Sequence, residues 1–204
     1  MKSLEDGFTG AGITGLPASA YERFEIYLDL LLRWNQRLNL TAVREPQQII
    51  QRHFVESAFA AQKLPADIAT LLDYGSGAGF PGIPIAICRP EISVTLAESQ
   101  ARKASFLREV LRTLGVRAQV YAGRVEKMPA EDRFDAVTMR AVDRSELAMP
   151  FALARARHYV VLLTTGEPGM LSQETGADLK WWKPILLPNT SRSVLAIGER
   201  QSRV

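Results

Sequence analysis

The stretch Leu71-Leu72-Asp73-Tyr74-Gly75-Ser76-Gly77-Ala78-Gly79-Phe80-Pro81-Gly82 decides the fold of this chain. It begins as an apolar strand with an acid near its end and runs directly into a turn with glycine at alternate positions. Glycine lets the backbone bend sharply and approach a ligand closely, because no Cβ intervenes. The helix that follows presents free N–H groups toward a carboxylate or a phosphate. The stretch therefore predicts a cofactor loop, with a purely structural turn as the alternative.

The glycine spacing discriminates between cofactors. A dinucleotide-binding loop needs glycine at the first, third and sixth places, and the sixth place here is Phe80. Glycine at the first, third and fifth places after an acidic strand end is typical of enzymes that use S-adenosylmethionine; these are Gly75, Gly77 and Gly79. We therefore predict S-adenosyl-L-methionine as the cofactor, in place of NAD or FAD.

Acidic residues follow the next two predicted strands. Glu98 comes about twenty residues beyond the glycines, where a Rossmann-like fold contacts the ribose hydroxyls. The alternative for Glu98 is an acid favoured by the dipole at a helix N-terminus. Glu126 lies in a loop that this fold places over the adenine, where its carboxylate can accept from the amino group. Both residues are predicted cofactor contacts.

An arginine, Arg140, follows the fourth predicted strand. Ligands of open α/β sheets lie at the carboxyl ends of the strands. We therefore predict Arg140 as a catalytic residue and as a cofactor contact. Asp135, at the beginning of the same strand, is predicted to cap the strand and to take no part in the chemistry.

Outward from the glycine stretch, the chain divides into three parts. Residues 1–17 lack apolar periodicity, which predicts a flexible N-terminal segment, and residues 18–66 carry apolar positions at three- and four-residue steps, which predicts a helical cap. From residue 67 to 204, short apolar runs alternate with amphipathic stretches, as in βαβ units. The predicted strands are 70–74, 93–97, 118–121, 134–139 and 159–164, the helices 83–88, 100–114 and 144–154, and a closing antiparallel pair 182–187 and 193–198.

This pattern predicts an α/β fold of the Rossmann-like class I S-adenosylmethionine methyltransferase type. We expect a mostly parallel seven-stranded sheet with a C-terminal antiparallel strand, preceded by the helical cap. A chain of 204 residues with 47% hydrophobic and 23% charged residues buries one sizeable core without metals or disulfides.

The composition also bears on disulfides, metal sites, cellular location and binding partners. Cys88 is the single cysteine, and the chain has only His53 and His158 as histidines, so we predict no disulfide and no metal site. No signal peptide or membrane-spanning run is visible, which favours a reducing cytoplasm. A net charge of +3 with a pI of about 9.2 permits a polyanionic partner without requiring one.

The residues above resemble those of a known family, the bacterial 16S ribosomal RNA guanine-N7 methyltransferases, also called glucose-inhibited division protein B. The resemblance runs almost end to end, and its most specific carrier is the Gly-Phe-Pro-Gly-Ile-Pro extension at 79–84. The other carriers are Arg33-Trp34-Asn35, Asn39-Leu40-Thr41, Arg52-His53-Phe54, Arg102-Lys103 with Phe106-Leu107, Arg124-Val125-Glu126 and Arg140-Ala141.

The resemblance implies methyl transfer to N7 of a guanine in the decoding-region loop of 16S ribosomal RNA, guanine 527 in bacterial numbering. We expect a monomer with no membrane partner, whose acceptor is 16S ribosomal RNA, the 30S subunit or an assembly intermediate. Cofactor contacts then fall on Gly75, Phe80, Val125, Glu126 and Arg140.

Three positions depart from the family pattern. Glu98 stands where the family usually has aspartate, which preserves the ribose role with a longer reach, and Tyr74 replaces a small aliphatic residue. After the fifth strand the family shows a Lys-Gly pair, whereas this chain reads Thr164-Thr165-Gly166. This last departure removes a basic residue from the open side of the fold.

Several residues keep two interpretations. His53 is expected to pack or cap within the helical cap, with an active role as the alternative. The Trp181-Trp182 pair either belongs to the core or stacks on bases. A basic set either binds phosphates or forms a solvated helix face; it comprises Arg102, Lys103, Arg108, Arg112 and Arg117. Three functions remain open: RNA guanine-N7 methyltransferase, small-molecule methyltransferase, and non-catalytic RNA-binding protein with the same fold.

Overall fold

The computed structural model describes residues 4–140, 145–165 and 179–201. Over these ranges it contains one eight-stranded sheet in the order β3-β2-β1-β4-β5-β8-β6, with β7 also paired to β8. The strands are β1 Thr70–Tyr74, β2 Ser93–Ala97, β3 Ala118–Tyr121, β4 Phe134–Arg140, β5 Ala156–Thr164, β6 Leu179–Trp181, β7 Ile185–Leu186 and β8 Val194–Arg200.

Strands β1 to β5 are parallel, and β8 runs antiparallel to β5. The two short strands β6 and β7 pair with successive parts of the same edge of β8, so the sheet is seven positions wide over the described residues. This is the predicted class I fold. The strand order reverses between β1 and β4, and ligands of open α/β sheets bind in the crevice at such a switch point.

Helices cover both faces of the sheet. The helices are α1 Leu4–Gly10, α2 Ala18–Asn35, α3 Pro46–Ile49, α4 Glu56–Lys63, α5 Gly82–Cys88, α6 Ala101–Leu114 and α7 Ser145–Arg155, with a π-helical turn at Ile50–Val55 and a 3₁₀ turn at Val125–Lys127. Successive side chains of a strand point to opposite faces. Leu71 accordingly joins the cluster under α1 to α6, whereas its neighbour Leu72 packs with Met149 of α7.

The segment before α2 differs from its prediction. Residues 4–17 are not a flexible lead-in: Leu4–Gly10 forms a helix, and Phe8 and Ile13 are fully buried. The Phe8 ring packs 4.9 Å from that of Phe24. Apolar residues are too few among the glycines and threonines of this segment to show a helical period, so only the tertiary contact fixes the helix.

The cap and the sheet share one hydrophobic core. A single cluster of buried side chains runs from Phe8 and Phe24 through Phe54 to Val94 and Val161 of the sheet. The helical stretch from Pro46 to Lys63 is continuous, as expected, but its middle part, Ile50–Val55, is π-helical. Such turns are frequent at functional sites because they rotate the side chains that follow.

Most elements lie within two residues of their predicted ends. The exceptions are β5, which begins earlier, at Ala156, and the predicted strand 182–187, of which only Ile185–Leu186 is strand, with Leu179–Trp181 forming a separate strand before it. Asp135 caps the start of β1, since its carboxylate accepts from the backbone N–H groups of Ala69 and Thr70 at 3.0 and 2.8 Å. Ala141, Arg144 and Gly166, which entered the sequence predictions, lie outside the described residues. In the part of the chain that the structure describes, no helix has the length and apolar character needed to cross a bilayer.

Candidate active site

A cavity of about 420 Å³ lies at the carboxyl ends of β1, β2 and β3. We call it the donor cavity. Its volume falls within the 300–1,000 Å³ typical of small-molecule sites. The residues that matter for its chemistry are Tyr74, Gly75, Glu98, Gln100, Val125 and Glu126.

The glycine turn forms one side of this region. Gly75 and Gly77 have φ values of +69° and +56°, a conformation that side chains with a Cβ rarely adopt. Among the described residues, a Cβ added to Gly77 would meet only the carbonyl oxygen of Gly75, at 3.8 Å. The space beside Gly77 is therefore open to a ligand.

The second half of the turn faces protein instead. A Cβ on Gly79 would lie 2.5 Å from Cδ1 of Ile83 and 2.7 Å from the hydroxyl of Tyr27. The Tyr27 hydroxyl also donates to the backbone carbonyl of Ala78. Phe80 stacks 4.7 Å from the His53 ring in the cap. Gly79 and Phe80 thus anchor the turn to the helical cap.

Asp73 organises the turn from below. Its side chain is fully buried, with Oδ2 accepting from the Gly82 N–H at 3.2 Å and Oδ1 from the Thr138 hydroxyl at 2.9 Å. Burial raises the pKa of this carboxyl from 3.8 to about 6, although the two hydrogen bonds oppose the shift. The acid that the sequence places before the glycines therefore holds the turn and helix α5 together.

Glu98 bridges the turn and the beginning of α6. Its side chain is only 6% exposed, yet it lines the donor cavity. One carboxylate oxygen accepts from the Gly77 N–H at 2.9 Å and the other from the Gln100 N–H at 2.7 Å. Each oxygen has a second lone pair for a ligand hydroxyl.

Glu126 lies across the cavity from the glycine turn, in the 3₁₀ segment. The Tyr74 hydroxyl donates to its Oε1 at 2.6 Å. This hydrogen bond lowers the pKa of the exposed Glu126 carboxyl, while burial first and Glu126 second raise the pKa of Tyr74. The tyrosine that the sequence left without explanation fixes the carboxylate predicted to meet the adenine.

Arg140 extends from β4 toward the cap and does not line the donor cavity. Its guanidinium donates to Glu56 Oε2 at 2.6 Å, to Ser57 Oγ at 3.2 Å and to the Arg52 carbonyl. Desolvation raises the pKa of Glu56 against the opposing effect of Arg140. No sequence signal indicates this pairing, because an acid in the first turn of a helix is usually solvated.

His53 completes the cluster around Arg140. A guanidinium has no acceptor, so Nδ1 of His53 accepts from Arg140 at 3.2 Å, and Nε2 carries the proton that faces the Thr41 hydroxyl at 2.9 Å. Burial, and secondarily the charge of Arg140, lower the pKa of His53 from 6.5 to about 3. His53 is neutral and packed, which matches the structural interpretation of this residue.

The structure divides the predicted site residues into two groups. Gly75, Glu98, Val125 and Glu126 line the donor cavity, and Gly77 joins them through its bond to Glu98. The remaining three, Gly79, Phe80 and Arg140, lie on the cap side. Sequence reasoning missed Gln100 and Arg124 as lining residues; their positions directly after β2 and β3 are the available signal.

The residues of the donor cavity fit a nucleoside that carries an amino-acid moiety. Open space beside Gly77 admits a close backbone approach, and two carboxylates offer acceptors for hydroxyl and amino groups. Fold and site together define a class I S-adenosylmethionine-dependent methyltransferase.

Comparison with known proteins defines the family. Residues 20–167 match the family described as GidB, rRNA small subunit methyltransferase G, and the chain belongs to this family. It is 43% identical, over 76% of its length and 74% of the relative's, to the ribosomal RNA small subunit methyltransferase G of Methylobacillus flagellatus. The corresponding values for the Stenotrophomonas maltophilia (strain K279a) protein of the same name are 44%, 69% and 65%.

Solved structures show the same fold at low sequence identity. The crystal structure of cofactor-bound Rv0187 from MTB superposes with a TM-score of 0.62 at 18% identity and covers 97% of both chains. This likeness establishes the architecture, and the family match establishes the enzyme class.

Proposed function

We propose that this protein methylates N7 of a guanine in 16S ribosomal RNA, guanine 527 in bacterial numbering. The observation that carries the proposal is the donor cavity at the carboxyl ends of β1, β2 and β3, in a chain that belongs to an rRNA methyltransferase family. The relatives at 43% and 44% identity are named for the small-subunit ribosomal RNA, which supports this acceptor.

Methyl transfer to guanine N7 requires little acid–base catalysis. The bound cofactor supplies an electrophilic methyl group on a sulfonium. Guanine N7 carries a lone pair that is unprotonated at neutral pH, so no general base is required. The task of the protein is to hold the two reactants in line, which is worth up to roughly 7–11 kcal/mol for a well-oriented pair.

We assign the residues accordingly. Glu98 accepts from the ribose hydroxyls and Glu126 from the adenine amino group, with Gly75, Gly77 and Val125 shaping the donor cavity. Arg140 acts from the cap side, where it locks the cap against β4.

The division into a cap at 18–66 and a catalytic domain at 67–204 is also part of this proposal. In it, residues 18–66 close over the carboxyl edge of the sheet and 67–204 carry the donor cavity. We further propose that the protein acts as a monomer in the cytoplasm, on the 30S subunit or an assembly intermediate.

Mass mapping of small-subunit RNA tests the acceptor and the atom together. RNA from cells that lack this protein should lose one N7-methylguanine, and the wild-type gene should restore it. A gene carrying Glu98→Ala should fail to restore it. An unchanged modification map would refute the RNA acceptor and favour a small-molecule methyltransferase.

A further inference from the structure

We propose that a second cleft, between α2 and α6, binds a single-stranded segment of the RNA substrate. This inference rests on the proposed function and names the surface that would receive the acceptor strand. The cleft measures about 660 Å³, against 420 Å³ for the donor cavity. Five of its lining residues carry the argument: Arg33, Trp34, Arg37, Arg102 and Glu109.

The charge of the cleft suits a polyanion. Three exposed arginines line it, with Glu109 as the one acid among its described lining residues. Within residues 4–140, 145–165 and 179–201, the side chains of Arg37 and Arg102 make no hydrogen bond or ion pair, and the side chain of Arg33 donates only from Nε to the Asp29 carbonyl, at 3.3 Å. Their guanidinium forks are therefore available for bidentate contact with phosphate.

An aromatic ring distinguishes the cleft from a merely basic helix face. Trp34 is half-buried and lines the cleft, and its ring centroid lies 5.7 Å from that of Phe106 at an interplanar angle of 59°. This contact fixes the indole within the cleft. Unpaired bases stack on aromatic side chains and on guanidinium planes, whereas paired bases are not exposed to them. A tryptophan among arginines thus favours a single strand over a duplex.

The position of the cleft connects it with the chemistry. Helices α2 and α6 run antiparallel, since Arg23 near the beginning of α2 donates to the Leu114 carbonyl at the end of α6 while Trp34 packs on Phe106. The end of α2 therefore lies beside the first half of α6. Helix α6 begins immediately after Gln100, which lines the donor cavity. A strand bound in the cleft would reach the carboxyl edge of the sheet, where methyl transfer takes place.

Two double variants test the proposal with equal charge changes. Arg37→Gln/Arg102→Gln removes two guanidiniums from the cleft, and Arg112→Gln/Arg117→Gln removes two exposed guanidiniums outside it. The probe is a fluorescein-labelled, unstructured RNA of about twelve nucleotides, within the usual site size for single strands, measured by fluorescence anisotropy at several salt concentrations. Calorimetry with S-adenosylmethionine verifies that each variant keeps its fold.

The cleft variant should bind the single strand about tenfold more weakly. Its plot of log affinity against log salt should flatten by about 0.7 for each phosphate that the variant no longer neutralises. The control variant should bind within about twofold of wild type, and S-adenosylmethionine affinity should not change in either. Trp34→Leu keeps an apolar side chain against Phe106. It should also weaken binding of the single strand and leave binding of a duplex of the same sequence unchanged.

Three results of the binding experiments would overturn the inference. These are equal weakening by both double variants, wild-type binding by the cleft variant, and displacement of the RNA by polyglutamate at equal charge concentration, which would indicate an acidic peptide site. Methyl transfer to 16S ribosomal RNA is measured in parallel. No transfer by the wild type refutes the proposed function, whereas normal transfer by the cleft variant refutes the cleft alone.

Discussion

At the scale of single residues, the carboxylates of Asp73 and Glu98 sit at neighbouring strand ends but serve different partners. Asp73 is fully buried and uses both oxygens on Gly82 and Thr138. Glu98 lines the donor cavity and accepts from the backbone of the turn and of α6. Substitutions at the two positions should therefore change different quantities.

Glu98→Ala should weaken S-adenosylmethionine binding at least roughly tenfold, because charge-assisted hydrogen bonds contribute about 1.5–3 kcal/mol. Isothermal titration calorimetry measures the dissociation constant directly. Glu131→Ala, which removes an exposed acid outside the donor cavity, is the matched control and should bind as wild type. Unchanged affinity in Glu98→Ala would remove Glu98 from the cofactor site.

Asp73→Asn should change how the free energy of unfolding depends on pH. The pKa of Asp73 is raised from 3.8 to about 6 in the folded state, so its ionisation destabilises the fold as pH rises from about 4 to above 6, by up to about 3 kcal/mol. Asparagine keeps both hydrogen bonds, since Thr138 can accept from its amide and donate to the Leu72 carbonyl. Urea unfolding at several pH values should show that the free energy of unfolding of the variant increases relative to that of the wild type as pH rises.

The difference between variant and wild type is the informative quantity in that experiment. His53 has its pKa lowered from 6.5 to about 3, so it stabilises the fold as pH rises over the same window and masks Asp73 in the wild type. His53 remains in both proteins, and its contribution cancels in the difference. A difference that stays flat between pH 4 and 7 would contradict the burial argument for Asp73.

At the scale of elements, alanine substitutions at two glycines, one in the glycine turn and one after α6, should have similar effects on stability and different effects on cofactor binding. Gly77 and Gly115, the C-cap residue that follows α6, have φ values of +56° and +59°. Among the described residues, each has open space at its Cβ position apart from one ordinary contact at Gly77. Alanine should cost about 1 kcal/mol of stability at either position. Only Gly77→Ala should also weaken the binding of S-adenosylmethionine, by roughly tenfold, because the alanine methyl group enters the space that the ligand needs.

Thermal unfolding and calorimetry on the same two proteins check this prediction. Equal losses of stability with unequal cofactor affinity are the expected result. If Gly77→Ala and Gly115→Ala bind the cofactor equally well, the space beside Gly77 is not part of the cofactor site.

The central sheet was predictable because each strand is a short apolar run bounded by turn residues. Helix α1 was not, because its burial depends on contacts with distant residues, such as the packing of Phe8 on Phe24 of α2. The π turn at Ile50–Val55 leaves the apolar spacing on either side nearly unchanged, so the sequence shows a single helix there. Local sequence patterns predict most helices and strands, whereas α1 and the π turn depend on contacts between distant elements.

The candidate site follows the same division. Residues in the loops that follow strands, such as Glu98 and Glu126, were predicted from the strand pattern, and both line one cavity in the structure. Phe80 and Arg140 also follow strands, but their side chains turn toward the cap. Which way such a side chain points depends on its partners 27 to 88 positions away in the chain, and these leave no mark on local spacing.

At the scale of the whole molecule, the Arg140–Glu56 pair joins the cap to the sheet. Arg140→Ala should abolish methyl transfer and should also destabilise the fold by about 3 kcal/mol, because it leaves Glu56 buried without its partner. The double variant Arg140→Ala/Glu56→Gln should recover most of the stability without recovering transfer. Denaturant unfolding and a radiolabelled methyl-transfer assay measure the two effects separately.

An exposed arginine provides the control for this pair. Arg157 is 48% exposed and lies 3.5 Å from Asp135, so Arg157→Ala should change stability by less than about 1 kcal/mol and leave transfer intact. Wild-type turnover in Arg140→Ala would refute any role for the residue in transfer. Recovery of transfer in the double variant would show that the residue acts only through stability.

Helix α2 touches both halves of the proposed chemistry: its Tyr27 hydroxyl holds the Ala78 carbonyl of the glycine turn, and its Trp34 lines the α2–α6 cleft. If binding at one of these points shifts α2, the shift is felt at the other point, and the two binding events are then thermodynamically coupled. The factor by which one ligand changes the affinity of the other then equals the factor of the reverse effect, since coupling free energies are reciprocal. Product release would then be ordered by the same helix, with departure of the methylated strand loosening the spent nucleoside.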